Sequence, residues 1–156
     1  MGRFRYRMQS ILDIKLKMET HAKQEFAAAK AALDEEVEKL ETLFERKAAY
    51  EDEARELLAG PLKVLDIMAN KEAILRMEEY IVLQTQVVEK AKKKVEEARE
   101  ALKEVMQERK VQEKLKEKAF DNFLAEEKAA ESKEIDQLTS YTYGKRIQYN
   151  NAVNGD

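Results

Sequence analysis

The sequence predicts an all-α protein: an antiparallel two-helix coiled-coil hairpin, a rod with unequal arms. Three observations carry that expectation. Pro61 is the only proline in 156 residues, and the four glycines stand at positions 2, 60, 144 and 155. Interior proline costs a helix about 3 kcal/mol and glycine about 1 relative to alanine, so Gly60-Pro61 is the one strong break between two long stretches. Charged residues make up 39% of the chain, against roughly 25% in ordinary globular domains, and both signs are interspersed. Apolar residues recur at alternating spacings of three and four, as in a helix with one buried seam.

The first helix is expected over residues 4–58. Phe26, Ala29, Leu33, Glu36, Leu40, Leu43, Lys47, Tyr50, Ala54 and Leu57 hold its seam positions. Met8, Leu12 and Ala22 extend the seam backwards, with Lys15 and Glu19 as polar members. A turn region is expected over residues 59–70, because Asp66 and Asn70 are both suited to cap the next helix. The second helix is expected over residues 71–143, with its seam on Ile74, Met77, Ile81, Gln84, Val88, Ala91, Val95, Ala98, Leu102 and Val105. Around residues 108–115 the phase slips, and Val111, Leu115 and Ala119 move the apolar stripe around the helix. Residues 144–156 lack core-forming side chains and are expected to fray.

Folding back near Gly60 allows two registers. One sets Phe26 against Ala98 and Leu33 against Ala91. The other, half a heptad away, sets Phe26 against Ala91 and Leu40 against Met77. Both alternate large with small residues, and the pattern leaves both open. In either, about twenty residues of the second helix, roughly 30 Å at 1.5 Å per residue, extend past the first. Alanines and the polar Glu36, Lys47 and Gln84 make the seam weak by itself, as suits a part completed by partners.

Several function classes are excluded. The chain has no cysteine, which removes disulfides, thiolate metal sites and cysteine nucleophiles. His21 is the only histidine and reads as a surface residue, since one histidine cannot build a histidine-rich zinc site. Glu35/Glu36 and Glu126/Glu127 read as solvated helix faces, and the scattered glycines form no phosphate-binding loop. No enzyme, cofactor or metal is therefore expected. The net charge of -3 and the mixing of carboxylates with cations along both arms argue against a nucleic-acid partner. The run Tyr80-Ile81-Val82-Leu83 falls far short of the ~20 apolar residues of a membrane span, and no secretory signal opens the chain, so a cytoplasmic protein is expected.

Two surfaces remain as docking candidates. Arg3-Phe4-Arg5-Tyr6-Arg7-Met8 reads as the start of a partner-docking helix, with Phe4 and Met8 on one face. Tyr80, Leu83 and Val87 lie off the seam, either as a broadened core or as a protein-docking stripe.

The opening Phe4-Arg5-Tyr6-Arg7-Met8-Gln9-Ser10-Ile11-Leu12-Asp13-Ile14-Lys15 resembles the start of the FliJ family, coiled-coil components of the bacterial flagellar export apparatus. The late segment from Lys118-Ala119-Phe120-Asp121-Asn122-Phe123-Leu124 to Glu134-Ile135-Asp136 is similar to that family's C-terminal helix. The resemblance implies a non-enzymatic rod like the central shaft of rotary ATPases. Its implied partners are the hexameric flagellar export ATPase, the export gate membrane protein and export chaperones, with any membrane contact indirect or peripheral. It implies a place in flagellum biogenesis, and so in motility and chemotaxis, on the cytoplasmic side of the cell membrane at the flagellar base. By analogy the terminal end enters the ATPase ring, through Phe4, Tyr6, Met8, Phe120, Phe123, Leu124 and Ile135, with Lys128, Glu131, Lys133 and Glu134 orienting it by charge. Tyr80, Leu83 and Val87 correspond to the surface offered to the gate or chaperones. The departure from the family pattern lies at the tip, where residues 60–70 look longer than the family turn. A rotary-ATPase central-stalk subunit and a generic coiled-coil scaffold are the alternatives. A γ-type stalk subunit would need a sizeable globular insertion between the arms, for which this tip is too short.

Overall fold

A computed structural model describes residues 2–155 of the chain. Helix α1 spans Gln9–Ala59, 51 residues, and helix α2 spans Val64–Val153, 90 residues. They pack as an antiparallel hairpin, and no strand occurs among the described residues. No helix among them is long and apolar enough to cross a membrane. Contacts divide the chain into two compact units. Leu16–Gln107 form a hairpin unit; the residues up to Lys15 and those from Glu108 onward form a terminal unit.

In the hairpin unit the connection is shorter than residues 59–70. α1 stops at Ala59 and α2 begins at Val64, because nothing after Pro61 opposes helix and the first backbone bond, from Ile67 N to Lys63 O at 3.1 Å, closes at once. Neither Asp66 nor Asn70 is therefore an N-cap. Asp66 sits in the first turn of α2, where a carboxylate favours the positive end of the helix dipole. Asn70 is buried, and its Nδ2 donates to the Tyr50 carbonyl at 2.9 Å. Gly60 does not have a positive φ, so it is not a left-handed cap.

Cross-helix contacts in this unit place the helices between the two expected registers. The Arg99 guanidinium lies 5.8 Å from the centre of the Phe26 ring, and Lys47 Nζ lies 3.6 Å from Glu78. These two contacts lie nearest the first register, whereas the bonds from Asn70 to Tyr50 and from Gln84 to Glu36 lie midway between the two. Ala22, Met77, Val88 and Val95 are the buried apolar residues here. Large aliphatic side chains contribute about 1.5–3 kcal/mol each when fully buried, so so small a set gives a modest core. The polar seam members are satisfied rather than stranded. Gln84 Nε2 donates to the Glu36 carbonyl at 2.9 Å and to its Oε2 at 2.7 Å. Glu19 is buried with Lys23 Nζ at 3.4 Å.

In the terminal unit α1 starts at Gln9, not at Phe4. Residues 2–6 have no regular secondary structure, and a turn at residues 7–8 leads into the helix. Gln9 N donates to Tyr6 O at 3.1 Å, while Met8 O accepts from Ile11 N at 3.0 Å and Leu12 N at 3.1 Å. Phe4 and Met8 therefore do not share a helix face. A nonhelical segment covers up to ~3.3 Å per residue rather than 1.5 Å, which lets this short arm reach far along α2. Val111 and Leu115 are exposed, whereas Gln112, Lys116 and Ala119 are half-buried. The phase slip thus turns Val111 and Leu115 outward and leaves Ala119 on the covered side. The tail from residue 144, expected to fray, is helical here: α2 continues to Val153, and Asn154 N donates to Asn150 O at 3.0 Å. No proline interrupts it, and Lys145 Nζ lies 4.9 Å from the Tyr141 ring centre one turn away.

Candidate functional site

The terminal unit brings together three of the residues expected to meet an ATPase ring. Phe4 sits edge-on to Phe120, with centroids 5.2 Å apart at 72°, and tilted to Phe123 at 5.4 Å. Phe120 and Phe123 stand 6.5 Å apart on successive turns of α2. Such pairs contribute about 0.5–1.5 kcal/mol each beyond their buried area. Tyr6 Oη donates to Gln112 Oε1 at 2.9 Å, and Lys15 Nζ pairs with Glu108 Oε2 at 2.7 Å. Phe4, Tyr6, Met8 and Phe123 are half-buried, and with Phe120 the rings clasp the opening arm to α2.

The remaining candidates on this unit stay open. Leu124, Lys128, Glu131, Lys133, Glu134 and Ile135 are exposed, and Phe120 keeps 42% exposure despite its ring contacts. From Lys128 to Val153 every residue of α2 except Gly144 is exposed, a segment of roughly 40 Å at 1.5 Å per residue. Two contributors escaped the sequence reading. A Cβ at Gly2 would stand 2.9 Å from Glu127 Oε1 and 3.9 Å from the Phe123 ring, so the backbone there lies close against α2. Gln112 gave no signal at all, being one polar residue among many.

In the hairpin unit, Tyr80, Leu83 and Val87 are 44%, 59% and 41% exposed, while Val88 is buried and Ile81 half-buried on the seam. They are not a broadened core. With Lys39, Thr42, Leu43 and Gln84 they line an open groove of about 440 Å³. Gln84 therefore joins two features, the groove and the seam. Its hydrogen bond, and after it that of Lys39, holds the Glu36 carboxyl below the usual carboxylate value. A second apolar surface lies at the tip, where Leu58, Leu62, Val64, Leu65 and Met68 are exposed beside a groove of about 310 Å³ lined by Ala54, Leu57, Ile67, Ile74 and Leu75. Its signal in the sequence was the run of aliphatic residues at a turn, where polar residues are the rule. Contiguous exposed apolar surface is a common mark of interaction sites; no group of three or more potential metal ligands occurs among the described residues.

Comparison with known proteins gives the chain its relatives. Its fold is similar to that of a protein described as a YscO homolog, CT670 from Chlamydia trachomatis. The TM-score is 0.74 at 22% identity, over 94% of this chain and 99% of that one. At that identity the likeness speaks for the fold. A search of the curated proteins gives no significant match. The sequence model described as "Flagellar FliJ protein" matches residues 4–148. With nearly its whole length matched, the chain belongs to the flagellar FliJ protein family and is a coiled-coil protein associated with type III export.

Proposed function

We propose that this protein is a non-enzymatic coupling component of flagellar export, acting on the cytoplasmic side of the cell membrane at the flagellar base. The terminal unit docks on the hexameric export ATPase. The Tyr80–Leu83–Val87 groove takes the export gate protein or an export chaperone. The observation that carries this reading is the exposed α2 segment from Lys128 to Val153, which extends past an aromatic clasp that fixes its root. A ring can be stimulated only by differential contact with its alternative states, and a rooted helix offers such contact without doing chemistry itself. Exposed charges on Lys128, Glu131, Lys133 and Glu134 orient it, while Leu124 and Ile135 supply apolar contact.

The test is the hydrolysis rate of the cognate ATPase with the full chain and with a chain ending after Lys128. That cut keeps Phe4, Phe120 and Phe123 together, so it removes the exposed segment without undoing its root. Stimulation by the full chain and none by the shortened one is expected; equal stimulation sinks the ring-docking reading. Separately, Leu83→Asp is expected to leave helicity unchanged and to weaken capture of the gate protein or chaperone. Unfolding by that substitution would place Leu83 in the core and end the docking assignment.

A further inference from the structure

Beyond the aromatic clasp, α2 carries its charge in two blocks. Residues 126–136 hold five carboxylates against Lys128 and Lys133, whereas the only charged side chains of residues 137–155 are Lys145 and Arg146. The first block is acidic and the second basic. Along one face run Leu124, Ile135, Leu138, Tyr149 and Val153, at helical spacings and 49%, 55%, 63%, 71% and 59% exposed. Thr139, Ser140, Thr142, Gly144, Asn150 and Asn151 are weak helix formers. A lone helix of such composition is marginal in water, so the helical state of this segment calls for something to cover its apolar face.

We infer that two copies of this chain pair antiparallel through this segment, the acidic block of each lying against the basic block of the other. The charge pattern selects both the occupant and the direction. A two-fold interface must be self-complementary, and a helix acidic in one half and basic in the other meets that condition only when antiparallel. Parallel pairing would set like charge against like. The exposed apolar side chains on the stripe offer on the order of 500 Å² per copy, and with the flanking charged residues two copies reach the roughly 1,200 Å² at which specific interfaces begin. The pair covers the surface assigned above to the ATPase ring, so ring and second copy compete. The pairing itself rests on the exposure and charge of α2, not on the ring reading.

Sedimentation velocity of the full chain from low to high micromolar concentration tests this. A monomer–dimer equilibrium is expected, weakening as salt rises. Leu138→Asp should raise the apparent Kd roughly tenfold or more with helicity retained. Lys145→Glu with Arg146→Glu in one copy, and Glu131→Lys with Glu134→Lys in another, should each abolish self-pairing and restore it as a mixed dimer when combined. The chain has no cysteine of its own, so Ile135→Cys and Thr142→Cys copies report direction: with Glu131 opposite Arg146, the mixture should cross-link 135 to 142 faster than either copy cross-links to itself. A single monomeric species throughout, a dimer indifferent to Leu138→Asp and to charge reversal, or dominant like-with-like cross-links would each overturn the inference. Monomeric behaviour alongside intact ATPase stimulation would overturn the pairing and leave the ring reading standing.

Discussion

The hairpin unit and the terminal unit are built from the same charge-rich composition, yet they hold their chains together differently. In Leu16–Gln107 the two helices cover one another, and a thin apolar core is supplemented by hydrogen bonds from Gln84 and Asn70 across the seam. In the terminal unit the first helix is brief. A nonhelical arm and three phenylalanine rings take over, and α2 then continues without cover. The difference teaches that regular helical spacing does not tell a paired helix from an unpaired one. What distinguishes them is whether a partner strip of chain of matching length exists.

The sharpest test of that contrast sets one charge in each region. Val88 is 4% exposed, and Val88→Asp would bury an unpaired carboxylate, a loss of about 3 kcal/mol or more. Leu138→Asp on the uncovered segment should change stability by no more than about 0.5 kcal/mol in dilute solution. Urea unfolding followed by circular dichroism measures both, and equal effects would erase the distinction between the regions. Next in size, Phe4→Ala removes the ring held between Phe120 and Phe123, at about 2 kcal/mol for a half-buried aromatic. Its signature is local: amide exchange should quicken around residues 8–15 and stay unchanged around residues 77–95. Uniform acceleration would mean that the clasp supports the whole chain.

Asn70→Leu asks a different question, because the polar seam residue offers specificity more than energy. A polar side chain on a coiled-coil seam fixes register at some cost in stability. The Tyr50 carbonyl lies within α1 and keeps its helical partner, so the variant should be as stable as the parent or more so by about 1 kcal/mol. The expected loss is register: spin-label distances between the helices should broaden from one population to two, half a heptad apart. A single unchanged distance would show that the contacts of Phe26 and Lys47 suffice.

Much of this fold was legible because Gly60-Pro61 and the three-four spacing are local signals, and local signals fix two helices and their turn. Register was not legible, since both candidate alignments alternate large and small side chains, and the bonds from Asn70 to Tyr50 and from Gln84 to Glu36 fall midway between them. The start of α1 was misread for a related reason. Phe4-Arg5-Tyr6-Arg7-Met8 has acceptable helix propensity, and only the presence of Phe120 and Phe123 across the hairpin makes the open arm preferable. Asn70 looked like a cap because asparagine favours caps, yet burial beside a carbonyl outweighs that preference. The docking stripe of Tyr80, Leu83 and Val87 was visible as excess apolar character, whereas the tip cluster at Leu62 and Leu65 was read only as a turn.

The smallest expected effect concerns acid, and it tests whether the seam of the hairpin unit is held partly by charge. Gln84 Nε2 reaches Glu36 Oε2 at 2.7 Å, and Lys39 Nζ reaches Oε1 at 3.3 Å. The amide first and the ammonium second keep the Glu36 carboxyl below its ordinary 4.5. A depressed folded-state value means that these contacts favour the fold fully above the ordinary value. Their contribution is lost as pH falls through the folded value. Gln84→Leu should therefore return the Glu36 titration, followed by carboxyl carbon NMR, toward its ordinary position and flatten the loss of stability between neutral and acid pH. Lys39→Met should move it less, being the second cause. The terminal unit serves as the internal control, since Gln84 and Glu36 both lie in the hairpin unit: acid should loosen amide protection around residues 36 and 84 in the parent, and Gln84→Leu should remove that local response. If Glu36 already titrates at the ordinary value in the parent, the cross-helix hydrogen bond is not populated in solution. The seam would then rest on its apolar residues alone.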